Sequence, residues 1–106
     1  MSRTVHLGVD LGTSGVKVVA VDEAGRIVDE AQRPYPLSTP RPGWAEQDPD
    51  DWIRGSAEAV REVVGRVAGR VAGRVGSHAV TAIGLSGQMH TAVLVDEAGR
   101  PVRPAI

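Results

Sequence analysis

The sequence predicts an α/β fold: an antiparallel meander of three strands, then one helix, then a strand that returns beside the first. Three observations predict it. Val5, Leu7, Val9 and Leu11 alternate with His6, Gly8 and Asp10, which is the period of two of a strand with one buried face. Val16 to Val21 is rich in β-branched residues and is followed by a short turn sequence and a further strand-like run. A segment with its own helix-start signal then separates this meander from the apolar run Val80 to Leu85.

Each element follows from its residues. Gly12 to Gly15 breaks the first alternation with turn formers, and Val16 to Val21 makes the second strand. Asp22-Glu-Ala-Gly25 is a hairpin turn, and Arg26 to Gln32 the third strand. Arg33 to Gly43 carries Pro34, Pro36, Pro40 and Pro42, so it is expected to be an ordered loop or connection, neither helix interior nor central strand. Asp48 suits a helix N-cap, Pro49 the first helical position, and Asp50 and Asp51 complement the helix dipole. The helix is expected from Pro49 to about Ala72, with Trp52, Ala59, Val60, Val63, Val64 and Val67 as its apolar face. The imperfect Gly65-Arg-Val-Ala repeat around Gly69 and Gly73 reads as a frayed, solvent-facing helix end, since an Arg in every turn argues against a membrane contact.

Val80 to Leu85 is the fourth strand, parallel to the first because a helix connects them. Ser86 to His90 is a polar break, and Thr91 to Val95 a fifth strand ending in the turn Asp96-Glu-Ala-Gly99. His6 is expected on a part-buried strand face. The hexapeptides Val21 to Arg26 and Val95 to Arg100 are identical, which reads as the same favourable turn chemistry used twice. With Pro104-Ala-Ile106 as its last residues, the sheet is expected to be incomplete and the isolated chain marginally stable.

Composition narrows the classes. A length of 106 residues allows one small domain. A formal net charge of −1 offers no basic stripe for nucleic acid. Cysteine is absent, which excludes disulfides and Cys-based zinc sites. The N-terminus lacks a signal-peptide pattern, and no run reaches the about 18 apolar residues of a membrane span, so a cytoplasmic protein without membrane partners is expected. Phe is also absent, so the core must be built of Val, Ala, Leu and Ile.

The turn after the first strand carries the chemistry. A P-loop ends in Gly-Lys-Ser/Thr and opens a helix, and the dinucleotide fingerprint also opens a helix. Here a β-branched run follows the glycines, so the turn joins two strands. Successive backbone N–H groups in such a turn can face one concavity and hold an anion. Gly12 and Gly15 let the backbone approach a phosphate, Thr13 and Ser14 add hydroxyl donors, and Lys17 adds a positive charge. Asp10 would repel phosphates unless a cation lay between, and Mg²⁺ held by a carboxylate, waters and phosphate oxygens is the usual solution. The competing reading is a plain hairpin with an Asp-capped turn.

Gly8-Val-Asp-Leu-Gly-Thr-Ser-Gly-Val-Lys17 resembles the first phosphate motif of the actin, sugar-kinase and heat-shock-chaperone ATPase fold. Pro42-Gly-Trp-Ala-Glu-Gln-Asp-Pro49 resembles a marker of the FGGY carbohydrate kinases. Ile83-Gly-Leu-Ser-Gly-Gln-Met-His90 resembles the sugar-contacting segment of that family in its xylulokinase form, where glycerol kinases carry Gln-Arg-Glu in place of Gln88 to His90. The three segments occur in family order and span essentially the whole chain.

The resemblance implies a ribonuclease H-like lobe (the actin, hexokinase and sugar-kinase ATPase fold), incomplete in residues 1–106, with a second lobe beyond Ile106. ATP and sugar would lie between the lobes. It implies that Gly12, Thr13, Ser14, Gly15 and Lys17 contact ATP phosphates, that Asp10 lies at the metal and γ-phosphate, directly or through water, and that Gln88, Met89 and His90 contact a ketose. The implied reaction is phosphorylation of D-xylulose by ATP with Mg²⁺. The general base and adenosine pocket are expected outside this chain, which alone is expected to be inactive. The resemblance also allows a homodimer of the full-length enzyme. Thr91 stands where xylulokinases usually have Gly, which leaves a ribulose, gluconate or glycerol kinase as alternatives. An actin-like or chaperone-like ATPase is a further alternative that accounts only for the first segment.

Overall fold

The computed structural model describes residues 3–68, 70–71, 74–75 and 78–106. Strand β1 (Arg3–Leu11) leads through the Gly12-Thr-Ser turn into β2 (Gly15–Asp22), and a second turn leads into β3 (Ile27–Pro34). A long loop follows, then helix α1 (Pro49–Val67), the short β4 (Arg70–Val71) and β5 (Arg74–Val75), and β6 (His78–Gly87). The main sheet has the order β3-β2-β1-β6. β1 to β3 form the antiparallel meander, and β6 lies parallel to β1 after the helical crossover.

Alternation decides what each sheet face does. Val5, Leu7 and Val9 of β1 lie on one face with Val16, Val18 and Ala20 of β2, in the register Leu7 to Ala20 and Val9 to Val18. Together with Ala31 and Tyr35 they pack under Ala59, Val63 and Val67 of α1, all buried. The core is thus Val, Ala and Leu with Tyr35; Ile27, Ile53, Ile83 and Ile106 are exposed and contribute nothing to it, against expectation. The opposite face carries His6, Asp10 and Lys17. His6 is exposed there, not part-buried, because among the described residues no helix packs on that side.

The start of α1 follows its sequence signals. The Asp48 carboxylate accepts from the Asp50 N–H at 2.9 Å, and Pro49 opens the first turn. Its end is earlier than expected: the helix stops at Val67, the last residue of its buried face, and Ala68 N–H closes on the Val64 carbonyl. In the sequence beyond that point each Gly disfavours helix by about 1 kcal/mol against Ala. The Arg-Val pairs of the repeat instead form the small antiparallel ladder of β4 and β5, in place of a frayed helix end. Gly69 and Gly73 lie outside the described residues.

Three further differences have local causes. β3 extends through Pro34, which pairs with Gly15, because β3 is an edge strand and proline's missing donor faces no neighbour. β6 extends to Gly87, paired with Leu11, so Ser86 and Gly87 belong to the sheet and not to a polar break. Thr91 to Val95 is not a strand. Ala92 and Ile106 exchange two N–H···O bonds of 3.1 Å, and Val102 N–H reaches the Leu94 carbonyl at 2.9 Å, but Pro101 and Pro104 bring no N–H to a continuous ladder.

The identical hexapeptides do form identical turns. Asp22 Oδ1 accepts from the N–H groups of Ala24 and Arg26, and Asp96 Oδ1 from those of Ala98 and Arg100, all at 2.9 Å. Gly25 and Gly99 take the left-handed conformation, with φ of 81° and 80°.

A candidate phosphate turn beside a cavity

The turn between β1 and β2 is closed by the Gly12 N–H on the Gly15 carbonyl at 2.9 Å. Its other carbonyls are held from outside. The Tyr35 hydroxyl donates to the Gly12 carbonyl. The Gln47 side-chain amide donates to the Thr13 carbonyl at 2.6 Å, and the Tyr35 N–H to the Ser14 carbonyl at 3.3 Å.

These bonds aim the donors. A carbonyl and the N–H that follows it share one planar peptide. Fixing the Gly12 carbonyl therefore fixes the direction of the Thr13 N–H, and fixing the Thr13 carbonyl fixes that of the Ser14 N–H. Those two N–H groups have no protein acceptor among the described residues, and both residues are exposed. A turn with its carbonyls tied to the protein and its N–H groups open is polarised to receive an anion. That separates it from a plain hairpin. Asp10 does not cap it either: the carboxylate is exposed and makes no hydrogen bond or ion pair among the described residues.

Asp10 sits across from Lys17 on β2 and Ser86 on β6, on the sheet face away from α1. Its charge reaches the turn: burial first, and the Asp10 negative charge second, push the Tyr35 hydroxyl above its ordinary pKa. Lys17 Nζ lies 3.5 Å from Glu30 Oε2, both side chains about half exposed, a pairing weak enough to exchange for a phosphate. Among the described residues no three His, Asp or Glu side chains gather as a metal cage. A single free carboxylate beside an anion-accepting turn fits Mg²⁺ held mainly by water and phosphate oxygens.

Gly15 has a second reason to be glycine. A Cβ there would lie 2.5 Å from the Arg33 carbonyl oxygen, so the close approach of β3 excludes any side chain. Gly12 is under a milder constraint: a Cβ there would lie 3.3 Å from the Gly15 carbonyl oxygen.

The segment after β6 completes the site. Gln88 N–H continues the parallel pairing onto the Leu11 carbonyl at 2.9 Å. His90 adopts φ 57°, left-handed backbone that costs a non-glycine residue free energy and is concentrated at functional sites. Gln88, Met89, His90 and Thr91 line a cavity of about 240 Å³ with Thr13, Gln47 and Trp52. Thr13 alone of the phosphate-turn residues reaches this cavity; Asp10, Gly12, Ser14, Gly15 and Lys17 lie outside its lining.

Two residues that sequence reasoning did not assign hold the site together. Tyr35 is 7% and Gln47 6% exposed. Tyr35 carried the signal of being the chain's single Tyr, placed among prolines. Gln47 carried none beyond its place in the segment Pro42 to Pro49.

The chain is similar to known proteins along essentially its whole length. The FGGY family of carbohydrate kinases, N-terminal domain, matches residues 5–106. A xylulose kinase of Staphylococcus epidermidis is 36% identical over 106 residues, covering all of this chain and 20% of that protein. The crystal structure of a xylulose kinase from Brucella ovis superposes with a TM-score of 0.82 at 41% identity, covering 96% of this chain and 20% of the other. That of Plasmodium falciparum glycerol kinase with ADP gives 0.89 at 26% identity, covering 99% and 20%. The chain thus spans about a fifth of the length of the relatives it matches. Their fold is the ribonuclease H-like α/β ATPase fold, of which this sheet and helix are a part. The chain belongs to the FGGY family of carbohydrate kinases, matching its N-terminal domain.

Proposed function

We propose that the protein, at its natural full length, transfers the γ-phosphoryl group of ATP to D-xylulose, giving ADP and D-xylulose 5-phosphate. One observation carries this reading: Thr13, whose N–H is open, lines the same cavity as Gln88, Met89 and His90. Phosphate and acceptor can therefore meet at one place. The identities to xylulose kinases support the sugar, and the likeness to a glycerol kinase keeps the acceptor open to test.

The residues divide the work. Thr13 and Ser14 supply backbone and hydroxyl donors to phosphate oxygens as charge develops in the transition state. Lys17 exchanges Glu30 for phosphate. Asp10 would hold Mg²⁺, directly or through water, and the cation would supply charge neutralisation for the phosphates. His90 gives or takes a hydrogen bond with a sugar hydroxyl, and Met89 packs on a C–H face. The sugar's terminal hydroxyl oxygen attacks the γ-phosphorus in line, its proton passing to a base that we place outside residues 1–106, as we do the adenosine pocket. A cytoplasmic location fits a chain in which no described helix is long and apolar enough to cross a membrane.

A coupled ADP-release assay on the natural full-length protein tests the reading, with D-xylulose, D-ribulose, D-gluconate and glycerol as acceptors. D-Xylulose should give the highest kcat/KM. Preference for another acceptor would move the protein elsewhere in the family, and ATP hydrolysis indifferent to all four would sink the kinase reading. Residues 1–106 alone should show no xylulose-dependent turnover, since a missing base by itself costs roughly 10²- to 10⁴-fold.

A further inference from the structure

We infer that Gln47 is a positioning residue that ties acceptor binding to the aim of the phosphate turn, an inference that rests on the kinase reading above. Gln47 is buried between the two halves of the site. Its Oε1 accepts from Trp52 Nε1 at 3.1 Å and from Gln88 Nε2 at 3.0 Å. Its Nε2 donates to the Thr13 carbonyl at 2.6 Å. Its backbone exchanges bonds of 3.0 and 2.7 Å with the buried Ala105, which fixes where the side chain starts.

The amide can sit only one way round. An indole N–H only donates and a backbone carbonyl only accepts, so Trp52 assigns the oxygen end and Thr13 the nitrogen end independently. Both lone pairs of the oxygen are used. Gln88 is oriented in turn, its nitrogen towards Gln47, and its oxygen has no donor among the described residues. A sugar hydroxyl donating to that oxygen would hold the Gln88 amide in place, and with it the third of the bonds that locate the Gln47 amide. The far end of Gln47 holds the Thr13 carbonyl, and the same peptide plane carries the Ser14 N–H. An acceptor in the cavity therefore steadies a phosphate donor that it does not touch.

The consequence is reciprocal coupling: sugar should tighten nucleotide binding, and nucleotide sugar binding, by one factor. The test measures the Kd of a non-hydrolysable ATP analogue with Mg²⁺ on the natural full-length protein, with and without saturating D-xylulose. In the wild type, sugar should lower that Kd about fivefold or more, the lower end of usual coupling. Gln47→Glu keeps an oxygen for Trp52 and Gln88 but sets a carboxylate against the Thr13 carbonyl. Gln47→Met removes both ends without adding charge, and serves if the Glu variant does not fold. In either variant the ratio of the two Kd values should fall to about one, whatever the change in affinity for sugar alone. A wild type without coupling, or a variant that retains it, overturns the inference. A full-length wild type that phosphorylates no acceptor overturns the kinase reading instead, and the turnover assay tells the two failures apart.

Discussion

The chain makes two kinds of chain-reversing turn, and they are satisfied in opposite ways. The turns at residues 22–25 and 96–99 look after themselves. Each Asp accepts from two N–H groups of its own loop, and each Gly supplies the positive φ. The turn at residues 12–15 does the reverse. Its carbonyls are tied by Tyr35 and Gln47, 23 and 34 residues along the chain, and its N–H groups at Thr13 and Ser14 are left open. A turn that needs only to reverse the chain uses its donors internally. A turn that draws remote side chains onto its acceptors while leaving donors unused is built to receive something.

The strongest way to break this comparison is at the carboxylates. Asp10 and Asp22 are both Asp at strand ends, yet Asp22 caps its turn and Asp10 caps nothing. Asp10→Asn should lower kcat of the full-length enzyme by about a hundredfold or more, the scale of losing a charged group that faces the transition state. The melting temperature should hardly move, because the exposed Asp10 carboxylate makes no hydrogen bond or ion pair among the described residues. Unchanged turnover would remove Asp10 from the site.

The glycines sharpen it next. Gly25 has open space around its missing side chain, so Gly25→Ala costs only the strain of left-handed backbone, roughly 1–2 kcal/mol. Gly15 has ordinary backbone but sits against β3, where a Cβ would lie 2.5 Å from the Arg33 carbonyl oxygen. Gly15→Ala must push two strands apart and should cost about 3 kcal/mol, the upper range for overpacking. Urea unfolding of the two variants compares them directly. Equal costs would mean that β3 gives way easily at Pro34.

What could be read from the sequence follows the same division. Self-contained features were legible: the alternation of β1, the Asp48 cap, the Pro49 start and the paired Asp turns depend on neighbours in sequence. Features set by the sheet order were not. Pro34 is tolerated because β3 is an edge, α1 ends where its buried face ends, and Thr91 to Val95 fails as a strand because the facing residues include two prolines. The candidate phosphate turn carries a readable motif, and its neighbour Gln88 to His90 a resemblance. The parts that join them, Tyr35 and Gln47, act over long sequence separations and leave no local pattern to read. The 41-residue span of the bond between Gln47 and Gln88 is the clearest instance.

The smallest expected effect lies in the self-contained turn, and pH reads it. The Arg26 N–H, above all, holds the Asp22 carboxyl below its ordinary value of 3.8, with the Ala24 N–H adding to it. A carboxyl whose pKa is lower folded than unfolded stabilises the fold above its unfolded value, and that stabilisation is lost as pH falls through the folded one. Asp22→Asn keeps an oxygen acceptor for both N–H groups but cannot titrate. The variant should therefore unfold with a shallower dependence on acid below about pH 4 than the wild type, with little difference at neutral pH. Glu62, lowered by its bond to Arg33, titrates in both proteins and cancels in the comparison. Parallel acid-unfolding curves for Asp22→Asn and wild type would mean that the turn's bonds persist in the unfolded chain. A hexapeptide so locally satisfied, used twice in one chain, is where such residual structure would first be found.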